Sequence, residues 1–215
     1  MPKQTFFNLP EEKRTRILDA AVAEIGAKPF EKVSIANIIE KADIPRGSFY
    51  QYFDDLKDLY KYVLQVIGER KMHYMHHVLG QMESWDVFRI IRELYAAGLK
   101  FAAENPGLAA VGNYYYREDS SLKKEIFPDM EDRGKEFFEM ILIKGQKRGE
   151  VDPDVDIGMA SFILYNLTND ITDYFFKQEG IENLLDGGED YLKLADKMLY
   201  IMEVGLRNRK GNSRE

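Results

Sequence analysis

Residues 46–52, RGSFYQY, place a guanidinium, a hydroxyl, a carboxamide and two phenols on seven consecutive positions. These are the groups that read nucleic acid. An Arg fork matches a guanine edge or a phosphate, and a Gln carboxamide matches an adenine edge. Phe49 and Phe53, four residues apart, give the same segment an apolar side. The spacing predicts a short helix with Phe49 and Phe53 buried, and with Ser48, Gln51 and Tyr52 pointing away from them. Tyr50 falls near the boundary.

No other constellation offers comparable chemistry. The chain has no GxSxG elbow, no phosphate-cradling GxxxxGK[ST] and no HExxH. The carboxylate pairs Glu11-Glu12 and Asp54-Asp55 fall in predicted turns, without an apolar setting to separate their pKa values. His73, His76 and His77 are all the histidines of the chain. His73 and His77 stand one helical turn apart, with only Glu69 as a neighbouring acidic ligand, so a solvated face is the better reading than a zinc or nickel site. With no cysteines there is no thiol nucleophile, thiolate site or disulfide framework. Neither an enzyme nor a bound cofactor is expected.

The polar segment needs a partner helix to hold it, and one precedes it. Ile35, Ile38, Ile39 and Ala42 fall at i, i+3, i+4 and i+7, and Ser34 stands before them as an N-cap. Pro45 disfavours helix at Ile44, so the chain turns there and restarts at Arg46-Gly47. Two short helices joined by a tight turn make a helix-turn-helix. An ordinary helical hairpin would show much the same pattern.

The segment GSFYQYFDDLKDLY, preceded by KRTRILDAAVAEIGAKPFEKVSIANIIEKADI, resembles the N-terminal DNA-binding domain of the TetR family of bacterial transcriptional regulators. The match runs from Lys13 to Tyr60. The resemblance implies an all-α chain, with a DNA-binding domain over residues 1–56 and an effector-binding and dimerisation domain over 57–215. It implies DNA contacts from Ser34, Arg46, Gly47, Ser48, Tyr50, Gln51 and Tyr52 to an operator duplex. Each has a structural alternative: Ser34 as a cap, Tyr50 as packing, Arg46 as a solvated cation. The family commonly carries a phosphate-gripping lysine where this chain has Leu56. Lys57, one place on, could replace it, although the shift turns the side chain by about 100°.

Composition fits this reading. Apolar residues make up 45% of the 215, too many for a disordered chain. No apolar run suggests a membrane span and no secretory signal precedes the fold, so the expected location is the cytoplasm. The net charge is −7, and residues 1–56 carry 8 basic against 9 acidic side chains. DNA affinity depends on where a few cations sit rather than on the total.

Further along, periodicity predicts six more helices: one from near Leu56, one from Ser84-Trp85-Asp86 to about Ala103, and Leu108–Tyr116. Met130–Arg148, about Asp156–Gln178 and about Glu189–Arg209 follow, the last two separated by Asp186-Gly187-Gly188. With one over about Pro10–Ile25 and the helix-turn-helix pair, the total is nine and no sheet. The family resemblance assigns the last two to a homodimer interface, which would set two recognition helices on a near-palindromic operator. Phe162, Ile163, Asn166, Leu167, Asp170, Ile171 and Tyr174 trace one face of the first of the two. Candidate contacts for a small, largely apolar effector are Phe101, Tyr115, Phe138, Phe162 and Tyr165, with Asn166, Asn169, Asp170 and Asp173 to orient it. The polar four could equally satisfy one another. A helical small-molecule-binding protein with weak or lost DNA binding is the alternative function.

Overall fold

Helix follows helix along the chain. The computed structural model describes residues 1–179 and 188–207, without the side chains of Asn169, Asp173, Phe176, Gln178 and Glu179. The helices are α1 (Gln4–Phe7), α2 (Glu11–Ile25), α3 (Ile35–Ala42), α4 (Arg46–Tyr52), α5 (Leu56–Gly80) and α6 (Val87–Glu104), with a 3-10 turn at Phe30–Lys32. Then come α7 (Pro106–Arg117), α8 (Ser120–Ile126), α9 (Met130–Lys147), α10 (Ile157–Glu179) and α11 (Gly188–Leu206). Among the described residues there is no strand, only an isolated bridge between Val151 and Arg207. The all-α expectation holds, and among the described residues the nine predicted helices become eleven. The additions are α1, whose four residues are too few for a 3.6-residue period to show, and α8, whose seven residues hold only Leu122 and Ile126 as an apolar pair. The predicted break at Asp186-Gly187 lies outside the described residues.

The chain forms two compact units. One comprises Met1–Lys71 and Glu104–Pro128, the other Met72–Ala103 and the described residues from Asp129 on. This division is one of packing and does not coincide with the functional division expected at residue 56. In the first unit Phe6, Ile17, Ala21, Ile38, Phe49, Phe53 and Tyr60 are fully buried. Helix α7 packs here on α2, where a Cβ at Gly107 would lie 3.0 Å from Val22 Cγ1. In the second unit α6, α9, α10 and α11 share a core that includes Ile90, Ile91, Ile141, Leu142 and Leu164. A two-point contact from Arg92 to Asp196, 2.7 and 3.1 Å, ties α6 to α11.

Helix α10 buries Ala160, Leu164, Ile171 and Phe175. Most of the face traced in the sequence lies outside this core: Phe162, Ile163 and Tyr174 are 49, 37 and 57% exposed. On α11, Tyr200, Ile201 and Val204 are exposed too.

One buried carboxylate fixes the elements that carry the polar segment. Glu24, near the end of α2, is 2% exposed. Its Oε1 accepts from the Ser34 N–H (3.1 Å) and from Asn37 Nδ2 (3.0 Å). Lys28 (2.7 Å) and Lys41 (3.3 Å) complete the cradle. Burial alone would raise the pKa of Glu24, but the bonds from Lys28, Ser34, Asn37 and Lys41 outweigh it and hold the group at about 2. The carboxylate thus locks α2 to the start, middle and end of α3. The turn that follows passes through Asp43 in the left-handed region, φ 50° and ψ 56°, a conformation that short polar side chains tolerate and β-branched ones do not.

A carboxylate held below its unfolded pKa stabilises the fold above that pKa, and the contribution fades as pH falls toward the folded value. For Glu24 the window runs from about pH 5 to 2, and the upper bound is about 3 kcal/mol. Urea unfolding at pH 7, 5 and 3 should show Glu24→Gln less stable at pH 7, with the gap closing as pH falls. Parallel curves would remove Glu24 from this role. Asp43→Val should cost about 1–2 kcal/mol, whereas Asp43→Gly should be tolerated; equal stability of the two would contradict the strain.

Candidate nucleic-acid interface

Helix α4 is seven residues long, and its two sides differ sharply. Phe49, Tyr52 and Phe53, at i, i+3 and i+4, are 0, 5 and 0% exposed, while Arg46, Gly47, Tyr50 and Gln51 face outward and Ser48 is half-buried. This corrects one feature of the sequence reading. Tyr52 was expected outside and Tyr50 at the boundary, and the structure exchanges them. The physical reason is α1. Phe6, fully buried, lies with its ring centroid 5.0 Å from Phe53 and 6.2 Å from Tyr52, and Lys13 Nζ sits 5.8 Å from the Tyr52 ring centre. Rings on three positions of one side then leave Arg46, Gly47, Tyr50 and Gln51 as the outward stripe.

The C-terminal end of α4 is bound by residues that precede α2. The Lys3 N–H donates to the Tyr52 carbonyl (2.8 Å), Lys3 Nζ donates to the Tyr50 carbonyl (2.9 Å), and the Thr5 hydroxyl donates to the Gln51 carbonyl. Helix ends leave their last carbonyls unpaired, and α1 supplies the missing donors. Sequence reasoning missed this segment. The one signal was the Phe6-Phe7 pair, two adjacent apolar rings ahead of the first predicted helix.

Ser34 caps α3, its hydroxyl accepting from the Asn37 N–H at 3.4 Å. Lys57, the candidate substitute for the lysine missing at Leu56, pairs with Glu125 of α8 at 2.6 Å. Asp54 pairs with Lys3 at 2.8 Å. The Lys3 ammonium, through its hydrogen bond and its charge, holds the Asp54 carboxyl below its ordinary range. The outward face is therefore built from Arg46, Gly47, Tyr50 and Gln51, with two acidic groups nearby of which one is neutralised.

The effector candidates are not gathered in one place. Tyr115 belongs to the first unit, 7% exposed with its ring 6.2 Å from that of Tyr60. Phe101 and Phe138 are buried in the second unit, Phe101 against Tyr74 at 5.6 Å and Phe138 beside Phe137 at 5.9 Å. Phe162 is half-exposed under Lys135. Tyr165 lies on Gly134, where an added Cβ would come within 2.3 Å of its ring. Asn166 spends its amide on the Phe162 carbonyl of its own helix, 2.7 Å away, and Asp170 is exposed. The side chains of Asn169 and Asp173 lie outside the described residues. Among the described residues no three His, Cys, Asp or Glu side chains cluster as a metal site would require, and His73, His76 and His77 are exposed.

Comparison with known proteins bears directly on this geometry. Residues 17–63 match the family model for bacterial regulatory proteins of the tetR family. Among curated proteins the chain is 22% identical over 203 residues to the uncharacterized HTH-type transcriptional regulator YdgC of Bacillus subtilis (strain 168), covering 94% of this chain and 95% of that one. A crystal structure of a TetR family transcriptional regulator from Chloroflexus aurantiacus J-10-FL is 30% identical, covers 97% of this chain and 100% of its own, and superposes with a TM-score of 0.72. The transcriptional regulator FadR from Bacillus subtilis, solved in complex with stearoyl-CoA, shares the fold at 18% identity and a TM-score of 0.64, over 84% of this chain and 96% of its own. All three are regulators of transcription. With the outward stripe of α4 set on a buried aromatic base, and with a relative at that identity over nearly the whole of both chains, the protein belongs to the TetR family of bacterial transcriptional regulators.

Proposed function

We propose that this regulator is a repressor that binds a near-palindromic operator as a homodimer and is released by a small, largely apolar effector. The observation that carries the reading is the outward stripe Arg46, Gly47, Tyr50 and Gln51, standing on three buried rings. Arg46 pairs with a guanine edge or a phosphate, Gln51 with an adenine edge, and Tyr50 meets a phosphate or a thymine methyl. Ser48 contributes from the margin and Ser34 from the start of α3. Tyr52 anchors the helix and does not read.

The dimer is supported by α10 and α11. Met159, Phe162, Ile163 and Tyr174 on one, and Tyr200, Ile201 and Val204 on the other, are 37–70% exposed. Apolar side chains in that density on adjacent helices are a surface awaiting a partner, and a second copy completes it in isologous fashion. Two recognition helices about 34–36 Å apart then meet successive major-groove faces of one duplex. The apolar effector is supported by the FadR of Bacillus subtilis, solved with stearoyl-CoA bound. Such a ligand, held in the unit from Met72 on, releases DNA by favouring a state whose recognition helices no longer match the operator spacing. Its differential affinity for the two states sets how far the balance moves.

Selection of duplexes from a random pool at fixed salt tests the reading. A two-fold-symmetric site should be enriched, and acyl-CoA titrated onto the complex should release it. A folded dimer that enriches no site even at low salt would point instead to a helical small-molecule-binding protein. Gln51→Ala should relax preference at one position per half-site, a loss of about 1–3 kcal/mol there. Tyr52→Ala should cost stability, by about 3 kcal/mol in urea unfolding. A Tyr52→Ala chain of full stability that fails to bind would restore Tyr52 as a reader. Ile201→Asp should convert a dimer to a monomer in light scattering, and an unchanged mass would move the interface elsewhere.

A further inference from the structure

The recognition helix has a cation at its start and, from a distant stretch of sequence, a cation at its end. Arg46 opens α4. At the other end lies the negative pole of the helix dipole, its last carbonyls bonded by Lys3 and Thr5, and Asp54 and Asp55 follow. A phosphate passing there would be repelled by both. Leu56, next in the chain, carries no charge, and Lys57 pairs with Glu125. Lys3 fills the gap. Its Nζ lies 2.9 Å from the Tyr50 carbonyl and 2.8 Å from Asp54 Oδ1, with its side chain 41% exposed. An ammonium has three donors. Two are used here, which leaves one.

Seven residues at 1.5 Å each make a helix about 10 Å long, close to the roughly 12 Å width of the major groove. A helix of that length lying across the groove brings both ends to phosphate walls. We propose that Lys3 is a phosphate-contacting residue of the DNA interface, supplied by the N-terminal arm at the end of α4 opposite Arg46. This rests on the DNA-binding reading of α4 above. Lys3 has two tasks in it: it offsets Asp54, and it gives its remaining donor to a phosphate oxygen. The contact is independent of sequence, as phosphate contacts are.

The test must separate the phosphate contact from the capping of α4 and the masking of Asp54. The full chain is titrated with a duplex that the wild type has enriched from a random pool, between 50 and 200 mM salt. With Asp54→Asn as the background, the carboxylate that Lys3 pairs with is gone. Adding Lys3→Met to that background should make the slope of log affinity against log salt shallower by about 0.9 per protomer. Lys3→Arg should keep the slope. Equal slopes for Asp54→Asn with and without Lys3 would overturn the proposal and leave Lys3 a cap. A wild type that enriches no duplex would overturn the DNA reading itself, and this contact with it. Should Lys3→Met unfold, Lys3→Gln, which keeps a polar N–H donor without the charge, carries the same comparison.

Discussion

The carboxylate of Glu24 is the interaction on which the reading head depends. A charge taken out of water is tolerable only when its hydrogen-bonding capacity is met. Glu24 meets it with two lysines, one backbone N–H and one carboxamide. All but Lys28 come from Ser34 and α3, so solvating the carboxylate and fixing α3 are one event. From there the constraint passes along the chain. Asp43 in the left-handed region sets the turn, and Ile44, buried in that turn, joins the core. The rings of Phe49, Tyr52 and Phe53 then leave only one face of α4 outside.

The second constraint comes from the other direction. The last carbonyls of α4 are bonded by Lys3 and Thr5, and Phe6 holds that arm down by its burial. A seven-residue helix is too short to be stable alone. This one is pinned at both ends, by the turn at Asp43–Pro45 before it and the arm after it. Rigidity of that kind serves recognition, because an ordered helix loses less entropy on meeting DNA. Several acidic side chains are also paired locally, although pairing leaves the net charge at −7. Glu24 is neutralised in the interior, Asp54 by Lys3, and Glu125 by Lys57.

How much of this the sequence showed depended on separation along the chain. The Ser34 cap and the Ile38–Ala42 stripe were legible because a helix and its cap are local. The burial of Phe49 and Phe53 was legible for the same reason. Tyr50 and Tyr52 were exchanged because the wall that claims Tyr52 is Phe6, 46 residues earlier, on a helix of four residues without a period to detect. The pairing of Lys57 with Glu125, 68 residues apart, and the burial of Glu24 gave no local sign. On α10 the continuous apolar face was visible, but periodicity does not say which of two faces meets the chain's own core. The buried side proved to be Ala160, Leu164, Ile171 and Phe175. The effector candidates fared similarly. Their types were apparent, while their division between two units followed from packing.

The chain contains no cysteine, so a single one introduced at Gln51 can carry a DNA-cleaving iron chelate at that site alone. Bound to an enriched duplex, the labelled protein should cut two clusters of positions related by a two-fold axis and separated by about one helical turn. A bound duplex that the Gln51 label leaves uncut would contradict the assignment of the outward face of α4 as the reader.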